Sequence, residues 1–235
     1  MAKIPLYQRS ELFIQGPDST SPQSVLQPVT LPSGRVISNG LVKAAMYEHM
    51  ASLFDGLPNA QHFALYNLWS RGGWGMIITG NVQVSGDHLT LGRDMVIPEK
   101  ITPGTLRSYQ ALTLVMRTGP KPKDRALIIM QLSHAGRQSP IVLGGRSPFV
   151  PPLAPSALGL GRSTPGGWFS RLTYRIGFPT PRAMTLQDID HVVNRFVLGA
   201  KLARDANFDG IELHASHGCK SLSISLFASK TSMIL

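Results

Sequence analysis

Cysteine is nearly missing from this chain of 235 residues: Cys219 stands alone. That excludes an internal disulfide framework and any zinc site built on several thiolates. Acidic residues are scarce too, 13 Asp and Glu against 23 Lys and Arg, for a formal charge of +10. No stretch approaches 18 consecutive apolar residues, so no membrane-spanning helix and no membrane partner are expected. The first 20 residues mix Lys3, Arg9, Glu11 and Asp18 and hold no apolar signal core, so the expected location is cytoplasmic. A Walker phosphate loop, a Gly-x-Gly-x-x-Gly between strand and helix, and a serine nucleophile elbow are all missing.

What is present is an ordinary globular balance, 43% hydrophobic and 15% charged, which suits one sizeable core. The positive charge invites a nucleic-acid reading, because a basic surface collects phosphates. Its residues are scattered from Lys3 to Lys230 without a dense run, so the expectation is a solvated basic surface and no nucleic-acid partner. An anionic small-molecule cofactor would also suit that surface.

Residues 1–24, rich in Pro, Ser and Gln, read as an irregular arm. Val29 and Leu31 then lead through Pro32-Ser33-Gly34 to Val36 and Ile37, a hairpin signal. Beyond it, short apolar runs alternate with helical periods. The strand candidates are Leu41 to Met46, Gly75 to Thr79, Ala126 to Leu132 and Asp209 to His214. Asn59 caps a helix carrying Leu65, Leu68 and Trp69 on one face and expected to stop at Gly72-Gly73. Thr102-Pro103 opens a second helix, with Leu106, Tyr109, Thr113 and Met116 on one face. Thr185 and Asp188 form a capping box before Ile189, Val192, Val193, Phe196, Val197, Ala200 and Ala203, spaced by threes and fours. Strand and helix in alternation predict parallel βα units. Two longer excursions, Asn81 to Lys100 and Ser133 to Met184, follow strand C-termini, where barrels and open sheets build their sites.

The densest chemistry is Gly210-Ile-Glu-Leu-His-Ala-Ser-His-Gly218. Strand alternation sends Ile211 and Leu213 to one face and Glu212 and His214 to the other. His214 and His217 converge only if the strand ends between them; two imidazoles could then donate to one carbonyl oxygen. A zinc pair, which needs a third ligand, and a purely structural pair are the alternatives. Gln131 offers donors and an acceptor suited to a heterocycle edge, or merely ends a strand. Gly80 lets a flat ring approach the backbone, or serves a turn. Arg137 holds an anion or pins its loop.

Together these segments resemble the Old Yellow Enzyme family of FMN-dependent NAD(P)H:flavin oxidoreductases and ene-reductases. The matching text is Leu41-Val-Lys-Ala-Ala-Met46, Leu68-Trp-Ser-Arg-Gly-Gly-Trp-Gly75 with Ile77-Ile-Thr-Gly80, Gln131-Leu-Ser-His-Ala-Gly-Arg137, and Phe208-Asp-Gly-Ile-Glu-Leu-His-Ala-Ser-His-Gly218. The resemblance implies the N-terminal part of an FMN-binding (β/α)8 TIM barrel over residues 25–218, with the first four strands present. It implies FMN across the barrel mouth, touching Ala45, Met46, Tyr47, Gly80 and Gln131, with NADH or NADPH as reductant. His214 and His217 would bind the carbonyl oxygen of an enone or quinone-like substrate.

Two residues depart from the family pattern: Tyr47 stands where a small hydroxyl residue is usual, and Cys219 stands where a proton-donating tyrosine is usual. After Gly218 the family text gives way to a divergent tail over residues 219–235. A complete barrel takes roughly 250 residues. The expectation is therefore an incomplete barrel in a truncated chain, with weak FMN binding and self-association through its exposed edge. A catalytically inactive fragment is the alternative reading.

Overall fold

A computed structural model describes residues 22–52, 55–119, 125–147, 149–160, 172 and 176–215. Residues 1–21 of the arm, the tail, and with it His217 and Cys219, lie outside the described residues. The end of the arm is not irregular: Pro22–Leu26 forms a 3-10 turn. The expected hairpin follows as β1 (Val29–Thr30) and β2 (Val36–Ile37), antiparallel, with Val29 opposite Ile37. Gly34 turns the chain between them at φ 79°, a conformation that costs glycine little.

Four strands then build one parallel sheet in chain order: β3 (Val42–Lys43), β4 (Met76–Gln83), β6 (Leu127–Ser133) and β9 (Gly210–Leu213). Between β4 and β6 lies β5 (Met95–Val96), which pairs parallel to the end of β4. Two short strands, β7 (Leu153–Ala154) and β8 (Arg182–Ala183), pair with each other inside the second excursion.

Helices α1 (Ala60–Ser70), α2 (Pro103–Met116) and α3 (Leu186–Asp205) connect the main strands. Each begins where an oxygen-bearing side chain can take an orphan backbone N–H: Asn59, Thr102 and Thr185 all close capping boxes, with His62, Thr105 and Asp188 respectively. Between helices and sheet lies the core. Ile77, Val82, Ile128, Met130 and Leu132 meet Tyr66, Tyr109, Leu112, Met116, Phe196 and Leu202 there. α3 lies so close that a side chain at Gly199 would press on Leu132 and Ile97.

Several expectations need correction. α1 buries His62, Tyr66 and Ser70, whereas Leu68 is 67% exposed. The Tyr66 hydroxyl and the His62 ring find polar partners inside, so a face that hydropathy reads as mixed is the buried one. On α3 the buried stripe is rotated to take in Arg195 and Gly199.

Strand pairing at β3 stops at Lys43, short of Met46. Neither Thr79-Gly80 nor Gln131 ends a strand: β4 runs on to Gln83 and β6 to Ser133. The physical reason in β4 is a register shift between Ile78 and Asn81. Such a bulge resets the inside–outside alternation, so Val82 joins the core while its polar neighbours Asn81 and Gln83 remain strand residues. Read without the bulge, those polar residues mimic the start of a loop.

Candidate functional site

Alternation along β6 and β9 gives the sheet two chemically different faces. Ile128, Met130 and Leu132, with Ile211 and Leu213, pack into the helix-covered core. Gln131 and Ser133, with Glu212 and His214, are carried on the opposite face. Register places Gln131 directly beside Glu212, and its Nε2 donates to Glu212 Oε1 at 2.7 Å. His214 continues the ladder, its N–H donating to the Leu132 carbonyl at 2.9 Å. The bond carries the pairing of β6 and β9 one residue past Leu213.

A row of carboxamides and hydroxyls crosses the strand ends. Asn81 Nδ2 donates to Ser133 Oγ at 3.2 Å, and Gln83 Nε2 donates to the Tyr47 oxygen at 3.1 Å. The donors of Gln83 and Gln131 are thus engaged. Their carbonyl oxygens, Gln83 Oε1 and Gln131 Oε1, are buried and have no hydrogen-bond partner among the described residues. A buried acceptor left in that state costs free energy that a ligand N–H would recover.

Residues 44–50 leave β3 and fold across the end of β4. Met46 is 53% exposed and Ala45 half-buried. The Tyr47 ring stacks on His49, centroids 4.9 Å apart and nearly parallel. Glu48 turns back into the fold. Its carboxylate accepts the Tyr66 hydroxyl and, at 2.9 Å, the Gly80 N–H, which also donates to the Tyr66 oxygen at 2.8 Å. Burial first, and the Glu48 charge second, push the Tyr66 phenol well above its ordinary range, so it stays protonated and donates. The atoms that come close enough to exclude any side chain at Gly80 are the Met46 carbonyl and the Glu48 carboxylate. Lys43 points to the helix side, its Nζ 4.1 Å from the Trp69 ring centroid and 5.4 Å from that of Tyr66, donating to the Ile78 carbonyl at 3.1 Å. Burial lowers its pKa, and Glu48 opposes that shift.

Loops beyond β4 and β6 enclose a pair of buried imidazoles. His88 and His134 lie ring to ring at 4.4 Å. His88 Nε2 accepts the Leu153 N–H at 2.8 Å, and its Nδ1 meets Asp87 at 2.8 Å. That hydrogen bond holds the Asp87 carboxyl far below the usual range. Arg137 pins its loop, reaching the Leu158 carbonyl and Ser156 Oγ at 3.3 Å each.

The Met46 carbonyl and the Glu48 carboxylate thus close on Gly80 inside β4, Tyr47 meets Gln83 at the end of that strand, Ala45 is half-buried in the same segment, and Gln131 and His214 come from the neighbouring β6 and the residue after β9. Glu48, Tyr66, Lys43 and Gln83 were not anticipated. Lys43 alone left a signal, as a charged residue inside an otherwise apolar run. Among the described residues, no three His, Cys, Asp or Glu side chains form a metal-ligating group, and no helix is long and apolar enough to cross a membrane.

Four parallel strands in sequential order, with three helices over one face, define part of an α/β barrel. The sequence profile of the NADH:flavin oxidoreductase / NADH oxidase family matches residues 24–220, and the chain belongs to that family. Its curated relatives include the NADH-dependent flavin oxidoreductase iliE of Neonectria sp. (strain DH2), 36% identical over 192 residues that make up 82% of this chain and 24% of the relative. The protein of that name from Hypocrea jecorina (strain QM6a) is 33% identical over 81% of this chain and 46% of its own length.

Morphinone reductase is a solved structural neighbour, with a TM-score of 0.64 at 22% identity over 83% of this chain and 48% of that one. The Old Yellow Enzyme homologue from Zymomonas mobilis gives 0.63 at 23% identity, over 83% and 49%. At this identity the likeness shows the fold: a partial TIM barrel. The chain spans half or less of the length of these relatives and neighbours.

The residues present suit a flavin in one testable respect. The orphaned Gln131 Oε1 is an acceptor where the imide N–H of a pyrimidine ring would complete the bonding.

Proposed function

We propose that this chain carries the first half of the active site of an FMN-dependent NAD(P)H oxidoreductase that reduces activated alkenes. The observation that supports the reading most directly is the buried Gln131 Oε1, without a partner among the described residues, on the polar face of a family-matched parallel sheet. Bound FMN would supply hydride transfer, accepting a hydride from a reduced nicotinamide and delivering it to an electron-poor carbon.

The chain's own residues do the rest. Gln131 orients the ring through its carbonyl, and Glu212 fixes that carboxamide by taking its Nε2–H. Ala45, Met46 and Tyr47, past the end of β3, and Gly80, inside β4, form the ring wall. His214, with His217, donates hydrogen bonds to the carbonyl oxygen of an enone or quinone-like substrate and stabilises the negative charge that develops there. Cys219, at the position where the family usually has tyrosine, supplies a thiol proton; an ordinary thiol, with a pKa of about 8.5, is still mostly protonated near neutral pH.

The span of this chain relative to its relatives favours a second reading, in which these 235 residues alone hold FMN weakly and turn over nothing. A visible spectrum of the desalted protein, expressed with added FMN, separates the two. Stoichiometric flavin that bleaches with NADH or NADPH, and is lost from Gln131→Leu, is expected of a working site. Colourless protein favours the inactive reading.

A further inference from the structure

We propose that Glu48 and Lys43, two charged side chains outside the set assigned above, bias the site electrostatically between reduced and oxidised flavin. The inference rests on the preceding reading, in which the flavin lies along Ala45, Met46, Tyr47, Gly80 and Gln131.

Its geometry is specific. The Glu48 carboxylate sits against the backbone of Gly80 and is held there by two donors, the Gly80 N–H and the Tyr66 hydroxyl. Neither donor cancels its charge. The Met46 carbonyl lies against the same glycine, so the carboxylate touches Gly80 and follows Tyr47 in the chain, two members of the proposed ring wall. Lys43 comes from the same chain segment but from the opposite face of the sheet. It is 5% exposed and is held by the Ile78 carbonyl and the Trp69 and Tyr66 rings.

Lys43 is buried and Glu48 half-buried, and a charge partly withdrawn from water acts at longer range than one on a surface. Flavin gains electrons on reduction, so a fixed carboxylate nearby opposes the reduced form and a fixed ammonium favours it. The two residues thus act with opposite sign on one equilibrium. They are positioning and tuning residues, since neither is argued to touch the reacting atoms.

Two substitutions keep the shape and remove the charge. Glu48→Gln retains an acceptor for Gly80 and Tyr66, and Lys43→Met retains an apolar stem beneath Trp69. The experiment is a dye-equilibrated redox titration of the full chain loaded with FMN, alongside fluorescence titrations of FMN affinity. Glu48→Gln is expected to favour reduced over oxidised FMN at least tenfold, an upward shift of about 30 mV for a two-electron couple. Lys43→Met is expected to move the potential downward.

A purely structural role weakens both redox forms alike and leaves the potential where it was. Unchanged potentials, or shifts of the same sign, overturn the proposal. The two variants are titrated separately, so loss of fold in one leaves the sign of the other to decide. A wild-type chain that takes up no FMN removes the underlying reading and this proposal with it. Wild-type uptake with unshifted variants removes this proposal alone.

Discussion

His62 shows how one buried residue couples a helix start to pH. Its ring is 1% exposed, and Nδ1 accepts the Asn59 N–H at 3.3 Å, closing the capping box of α1. Burial, and secondarily the Arg93 charge, push its pKa down to about 4. In the unfolded chain an imidazole titrates near 6.5. The unfolded state therefore takes up the proton first as the medium is acidified. This contribution to stability is complete above about pH 6.5 and is lost as the pH falls through the window toward 4, on the order of 3 kcal/mol in all. Urea unfolding between pH 7.5 and 4.5 should show that slope, and His62→Gln should flatten it. An equal slope in the variant would assign the acid sensitivity to other groups. Nothing in the sequence pattern flags His62, because its role depends on the Asn59 cap and on the fold that covers both.

At the scale of elements, Arg195 decides how α3 sits on the sheet. Its guanidinium is buried and donates to the carbonyls of Val84 at 2.7 Å, Ile97 at 2.5 Å and Pro98 at 3.1 Å. Those carbonyls belong to the excursion after β4, so one side chain ties the fourth-strand helix to the second-strand loop. Its ion pair with Glu99 adds little, since that carboxylate is 79% exposed. Arg195→Met would leave several buried carbonyls without donors and should cost about 3 kcal/mol or more in urea unfolding. Arg195→Lys should recover only part, because one ammonium cannot reproduce the planar fork. A loss below about 1 kcal/mol for the methionine variant would contradict this account. The three helix starts were legible because N-cap chemistry is local. The buried faces of α1 and α3 were less so, because His62, Tyr66 and Arg195 are buried by virtue of partners far along the chain.

For the whole molecule, the main sheet has β3 and β9 as its edges. The outer side of β9 pairs with no strand among the described residues. Unpaired strand edges invite pairing with another chain. The 235-residue chain is therefore expected to self-associate, its apparent mass rising with concentration in sedimentation velocity. A sharp monomer over a hundredfold range of concentration would show that the edge is protected.

The sequence alone determined the alternating βα order, the three caps, the hairpin turn and the family, because each rests on neighbouring residues or on a contiguous motif. It also placed Glu212 and His214 on one face, since strand alternation needs no tertiary information. Only the tertiary structure decided that β4 continues past Gly80, that Gln131 lies inside its strand, and that Glu48 returns to hold Gly80 beside Tyr66. A bulge changes which side every later residue faces, and a carboxylate finds its donors 18 and 32 positions along the chain. Such contacts arise from packing, where distance in space replaces distance in sequence.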